Sequence, residues 1–275
     1  MTTDELWNRA RPRLLAVAVN ILGWVHDAED VVSEAWLTLQ QHEEVRDLEG
    51  WLIRVVSNLA IDAARSVERS RTDYIGPWLP ELVAGGDVGE DVVKRELVDL
   101  AFVRLLQTLR PVDRATVVLV DVLGLPAPEA ANMVGTTSSA LRKRLSRARG
   151  ILREAGDSPA VVDRKTLERI TTSLAAADLS TFLSLLSDGC VLWTDSAGQA
   201  SAARRPVYGR DKVGRFLAGI ISKYGMPDVA IVEAAGGPVI LATSPDMKRG
   251  IVLEHIDGQI TGIQIQQNQA KLNLD

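Results

Sequence analysis

The chain has 275 residues, 46% of them hydrophobic and 24% charged, with a formal net charge of −5. That length accommodates two or three domains with cores of their own, and the composition is that of a soluble globular protein. An acidic balance excludes coating of nucleic acid through overall charge, and no apolar run approaches the roughly 20 residues of a membrane helix.

Further classes fall away quickly. The start, MTTDELW, is acidic and lacks the apolar stretch of a secretory signal. A single cysteine, Cys190, permits no intrachain disulfide and suits a reducing cytoplasm. His26, His42 and His255 are scattered, so neither a metal site nor a cofactor is expected.

In chain order, the front of the protein reads as helix. Ala28, Val31, Val32, Ala35, Trp36 and Leu39 recur at helical spacing, while Asp27, Glu29, Asp30 and Glu34 take other faces. Trp51, Leu52, Val55, Val56, Leu59 and Ala63 form a second apolar stripe. On that helix Arg54, Asn58, Asp62 and Arg65 make a polar line at steps of four, four and three. Residues 71–91 break the pattern with two prolines and four glycines and read as a linker. Its Tyr74, Ile75, Trp78, Leu79 and Leu82 need a surface, so the linker is expected to dock.

Helices are expected to resume near Val92. Pro111 opens one and Gly124 ends it. Pro128 opens a short helix through Val134, Gly135 turns the chain, and Thr137 caps the next helix. Helix, tight turn and helix of this size make a helix-turn-helix. After a boundary at 155–162 the pattern changes class. A helix from Asp163 to Ala177, a strand at CVLW and a helix near Arg210–Lys223 precede four runs rich in β-branched residues. Gly-Gly and Asp-Gly turns separate some of them, which predicts an antiparallel sheet in an α+β domain.

The stretch ALRKRLSRARGILR (140–153) is exceptional: six of its fourteen residues are Arg or Lys and none is acidic. Leu141, Leu145, Ala148 and Leu152 fall on one face, and Arg142, Lys143, Arg144, Arg147 and Arg149 spread over the remainder. Such a helix suits the DNA major groove, where Arg pairs with guanine and both cations hold phosphates. Thr136, Thr137, Ser138 and Ser139 at its start offer hydroxyls and free N–H groups to a phosphate. The competing reading is a solvated basic helix, and the helix-turn-helix frame together with the lack of any acidic partner favours DNA.

Three blocks resemble bacterial extracytoplasmic-function sigma factors. DAEDVVSEAWLTL (27–39) is similar to region 2.2, GWLIRVVSNLAIDAARS (50–66) to regions 2.3 and 2.4, and residues 109–149 to region 4. The resemblance implies a multidomain protein. Two all-α sigma domains, region 2 at 1–70 and helix-turn-helix region 4 at 93–155, flank a linker at 71–92. It implies that Asp27, Glu29, Asp30 and Glu34 dock on the β′ clamp helices of core RNA polymerase, whose β flap is a second contact. Arg54, Asn58, Arg65, Arg69 and Arg71 become candidates for the minus-ten element, with Tyr74 beside the opened strand. Thr137, Ser138, Ser139, Arg142, Lys143, Arg144, Arg147 and Arg149 become candidates for the minus-thirty-five element.

Residues 156–275 resemble the SnoaL-like domain fused to some of these sigma factors, a cone-shaped α+β fold, and members of that group work without a separate anti-sigma factor. The group's linker signature WLPEP is here WLPEL: Trp78, Leu79, Pro80, Glu81, Leu82. Its DGGGK signature is here DSAGQ, where only Asp195 and Gly198 keep their types, and its NPDKL tail is NQAKL at 268–272. The implied role is regulation through a contact between linker and extension.

The leading expectation is therefore an alternative sigma factor and not an enzyme, bound to promoter DNA and polymerase, away from membranes. A small-molecule ligand in the cone is a further possible partner. Two other readings stand beside it. One is a stand-alone helix-turn-helix regulator with a ligand-sensing C-terminal domain. The other is a cyclase or isomerase whose acid and base are Asp195 and His255, because His255 shares a strand face with Ile251 and Leu253.

Overall fold

The computed structural model describes residues 3–41, 47–70, 76–85, 100–154, 159–176, 178–198 and 202–274. They form two compact units. One draws on described residues within 1–72 and 103–156, the other on those within 73–87, 99–102 and 157–275.

The first unit is helical. Helices α1 (Thr3–Leu22), α2 (Val25–Gln40) and α3 (Leu48–Ser70) pack on one another. The α2 stripe is buried as its spacing predicts, and Trp36 lies against Trp7 with ring centroids 4.8 Å apart. On α3 the buried stripe is wider than predicted and turned around the helix. It runs through Leu52, Ile53, Val56, Ala60, Ile61 and Ala64, while Val55, Leu59 and Ala63 are only partly buried. The reason is that α3 packs on two sides, against α1 and α2 and also against helices from later in the chain.

Of the later helices α4 (Leu100–Leu106), α5 (Pro111–Val117), α6 (Ala127–Met133) and α7 (Ser138–Glu154), α5 and α6 are the two that pack on α3, and the first residues of α4 belong to the second unit. A π-helical turn, Val118–Val122, extends α5, and Gly124 ends it at φ +69°. Gly135, at φ +67°, makes the turn between α6 and α7. The Thr137 hydroxyl accepts from the Ala140 N–H at 3.2 Å, which is the expected N-cap. Arg114 is buried at 4% exposure. It donates to the carbonyls of Ile21 (2.6 Å), Leu106 (3.0 Å) and Leu109 (3.0 Å), so one guanidinium ties the end of α1 to the helix-turn-helix half.

The second unit is an α+β fold. Helices α8 (Arg164–Ala175), α9 (Leu179–Ser184) and α10 (Arg210–Tyr224) cover one face of a sheet. Its strands are β2 (Ala160–Val161), β3 (Leu186–Asp195), β4 (Val207–Tyr208), β5 (Asp228–Ala234), β6 (Gly237–Ser244), β7 (Met247–Ile256) and β8 (Gln259–Gln266). The order is β4-β3-β8-β7-β6-β5, with β2 on β7. The Asp-Gly turn is tight, with Asp257 at φ +50° and Gly258 at φ +80°, the geometry that joins β7 to β8.

One expectation is corrected: the sheet is mixed, not antiparallel. Strand β3 pairs in parallel with β8. Hairpin turns set the directions of β5 to β8, but β3 reaches β8 only after the α10 crossover. No local turn therefore encodes their relative direction.

The inner face of the sheet carries Cys190, Leu192, Ile240, Leu253, Ile263 and Ile265 against the helices. Burial first, and then the Glu254 charge, push the Cys190 thiol up to about 12. The outer face packs Val239, Val252 and Ala234 against Leu82, Leu100, Ala101 and Leu274. The segment 76–85 thus belongs to this unit. Its short strand β1 (Leu82–Val83) runs parallel to β9 (Leu272–Asn273), after a 3₁₀ turn at Gln269–Lys271.

Candidate nucleic-acid interface

Three surfaces and one buried clamp gather the predicted residues. On α7, Leu141, Leu145 and Ala148 are buried and Leu152 is half-buried, which turns the cationic arc outward. Arg142, Lys143 and Arg147 are exposed and make no ion pair with a described residue, and Thr137 and Ser139 are exposed beside the helix start. Ser138 is half-buried. Two cations are spent differently. Arg144 pairs with Asp113 at 2.9 Å, and Arg149 makes a two-point contact with Asp121 at 2.5 and 3.1 Å. The latter hydrogen bonds raise the Arg149 pKa above its ordinary value. The expectation of a helix without acidic partners is corrected here, because its acids come from α5 and the π turn some thirty residues earlier.

On α3, Arg54 is exposed and Arg65 pairs with Asp62 at 2.9 Å. The Asn58 amide donates to the carbonyl of Met133, at the end of α6, at 3.1 Å. Asn58, Asp62 and Arg65 share a cavity of about 310 Å³ with Thr136 and Arg144. Candidates for the two promoter elements thus face one another inside the helical unit. The side chain of Arg69, together with Arg71, Tyr74 and Ile75, lies outside the described residues.

On α2, Glu29, Asp30 and Glu34 are exposed and Asp27 is half-buried in the first turn. Among them sits Leu37, 62% exposed, which the sequence reading passed over. It lies three and seven residues after Glu34 and Asp30, on one helix face with them. The signal was an apolar residue off the buried stripe.

The clamp lies in the second unit. Asp195, by sequence a signature residue and a candidate acid, is fully buried, and Lys271 is 1% exposed. Their charged atoms are 2.9 Å apart. The same carboxylate accepts from the Leu79 N–H at 2.9 Å, and Lys271 Nζ donates to the Leu79 carbonyl at 3.1 Å. The ammonium also sits 4.1 Å from the centre of the Trp78 ring. Gln266 donates to the Pro80 carbonyl at 2.9 Å, and Asn273 donates to Glu81 at 2.6 Å. The predicted Trp78, Leu79, Pro80, Glu81, Leu82 and Asp195 are therefore brought together. Gly198, at φ +78°, occupies the turn that follows, and Gln199 lies outside the described residues. Lys271 was missed as a member of this site, although the NQAKL tail contains it.

The other candidate acid and base do not meet. Asp195 is committed to Lys271 and Leu79. The β7–β8 ladder slips between Glu254 and His255, and His255 is not a wall of the cone's cavity. That cavity has no carboxylate and no imidazole in its described lining, which removes the acid–base pair proposed for a cyclase.

Residues 6–70 match the family model described as Sigma-70 region 2, and residues 99–152 match that of Sigma-70, region 4. The ECF RNA polymerase sigma factor SigJ of Mycobacterium tuberculosis is 39% identical over 225 residues, 78% of this chain and 72% of that protein. The probable ECF RNA polymerase sigma factor SigI of the same species is 30% identical over 276 residues, 94% of this chain and 91% of that one. The crystal structure of the M. tuberculosis extracytoplasmic function sigma factor SigJ matches with a TM-score of 0.81 and 29% identity, over 100% of both chains. The likeness thus includes the C-terminal unit. No helix among the described residues is long and apolar enough to cross a membrane. Two sigma modules in order, and relatives alike along most of their length, make this chain a member of the ECF RNA polymerase sigma factor family, transcription initiation factors that direct RNA polymerase to promoters.

Proposed function

We propose that the helical unit is the closed form of this sigma factor and that its C-terminal unit regulates opening by holding the segment between the two modules. In the open form Arg54, Asn58 and Arg65, with Arg69 and Arg71, meet the minus-ten element. Thr137, Ser138, Ser139, Arg142, Lys143 and Arg147 meet the minus-thirty-five element, and Arg144 and Arg149, held by Asp113 and Asp121, flank that contact. Asp27, Glu29, Asp30 and Glu34 rim the contact to the β′ clamp helices with Leu37 at its centre, and the helix-turn-helix half meets the β flap. The C-terminal unit does this without catalysis and in place of a separate anti-sigma factor.

The observation that carries the reading is the Asn58 hydrogen bond to Met133. An amide engaged there is not free for a base. Elements named minus-ten and minus-thirty-five are about 25 base pairs apart, about 85 Å of duplex. The two faces must therefore separate. Residues 76–85 and 100–102 both belong to the C-terminal unit. Residues 71–75 connect it to α3 in sequence, and five residues span at most about 18 Å. The clamp therefore opposes separation.

The test is run-off transcription with core polymerase, comparing the full chain with one ending near residue 156. Both are expected to select the same start site, the shorter chain with higher output. Absence of start-site selectivity from either chain removes the reading.

A further inference from the structure

The cone of the C-terminal unit contains an apolar cavity of about 130 Å³ between α8, α9, α10 and the inner face of the sheet. Ile170, Phe182, Leu217, Ile240 and Leu253 are among its walls. Two large side chains that line it, Tyr224 and Met226, are 50% and 39% exposed and mark its mouth. An apolar cavity of roughly 150 Å³ holds a benzene molecule, so the space fits a body of about one ring.

Polar groups lie at one end only. Ser244 ends β6, Arg249 lies in the first turn-proximal residues of β7, and Gln267 follows β8. These are neighbouring ends of three adjacent strands, and all three residues line the cavity. The Arg249 guanidinium donates one hydrogen bond, to the Ser244 hydroxyl at 3.1 Å, and makes no ion pair with a described residue. Gln267 is 5% exposed, and its side-chain amide has no hydrogen bond to a described residue. With no carboxylate in the described lining, that end of the cavity is electropositive.

We propose that the cone binds a small carboxylic acid with a ring-sized apolar body, its carboxylate held by Arg249 and Gln267. Arginine presents a planar fork that matches a carboxylate, and the Gln267 amide supplies a further donor. The ring fills the apolar end and leaves by the Tyr224–Met226 mouth. Binding at this site is measured without transcription, so its failure is distinguishable from failure of the proposed function.

Calorimetry on the full chain with benzoate and with benzyl alcohol tests it, with folding of each variant checked by circular dichroism. Benzoate is expected to bind, and benzyl alcohol to bind about tenfold or more weakly, the weight of one charge-assisted hydrogen bond. Arg249→Gln is expected to erase that preference. Gln267→Leu is expected to weaken benzoate alone. Ala242→Leu, which adds bulk to a buried wall, is expected to weaken both. No benzoate binding to the wild-type chain overturns the proposal. So does equal affinity for the acid and the alcohol, or benzoate binding left unchanged by both Arg249→Gln and Gln267→Leu.

Discussion

Lys271 and Asp195 sit at 1% and 0% exposure with a separation of 2.9 Å. A buried ion pair adds little over an apolar pair of similar size, but removing one partner strands the other charge at about 3–5 kcal/mol. Lys271→Met is therefore expected to destabilise the chain by roughly that amount in urea unfolding. Asp195→Asn in the Lys271→Met background is expected to recover a large part of the loss, a coupling that a mutant cycle reads directly. Equal and additive losses from the two changes would refute the pairing. Asp195 was legible from sequence as a residue of interest, whereas its partner was not. The two are 76 positions apart, and a lysine written into a polar tail looks solvated. Burial of a charge is decided by what tertiary structure brings to it, and no local pattern records that.

At the scale of the element, α7 was the most legible part of the chain. Its apolar stripe, the Gly135 turn and the Thr137 cap are local signals, and local chemistry produces them in the fold. What sequence did not separate is which cations are free. Arg147 is exposed with no ion pair to a described residue, while Arg149 is bound to Asp121. Arg147→Glu is expected to weaken binding to minus-thirty-five duplex by tenfold or more and to lower its salt slope by about 1. Arg149→Glu places two like charges together and is expected to act first on thermal stability, with a smaller change in salt slope. Fluorescence anisotropy over a salt series and a melting curve separate the two. The same slope in both variants would show that the exposed arc is not the contact surface. The parallel pairing of β3 with β8 shows the converse limit. Direction across a crossover is a property of connected elements, and strand propensity is silent about it.

For the whole molecule, the sequence marked 71–92 as a linker that needs a surface, and residues 76–85 find that surface inside the C-terminal unit. Gly250 shows how close the approach is. A Cβ there would lie 2.3 Å from Leu82 Cδ1 and 2.8 Å from Leu272 Cδ1, so the glycine makes room for the docked leucine. Gly250→Ala therefore overpacks the clamp, a change that costs about 1–3 kcal/mol. Leu82→Ala empties the same place and costs about 2–5 kcal/mol. If the clamp opposes separation of the two candidate promoter-reading faces, as proposed, each single change is expected to raise run-off output severalfold with core polymerase. The double variant is the decisive one. A methyl at 250 fills part of the space that the leucine vacates, so the two changes compensate and output is expected to fall back toward the wild-type level. General loosening of the fold would instead make the effects add. Additive output, or no change in any of the three variants, would mean that segment 76–85 is held for stability alone and that opening is controlled elsewhere.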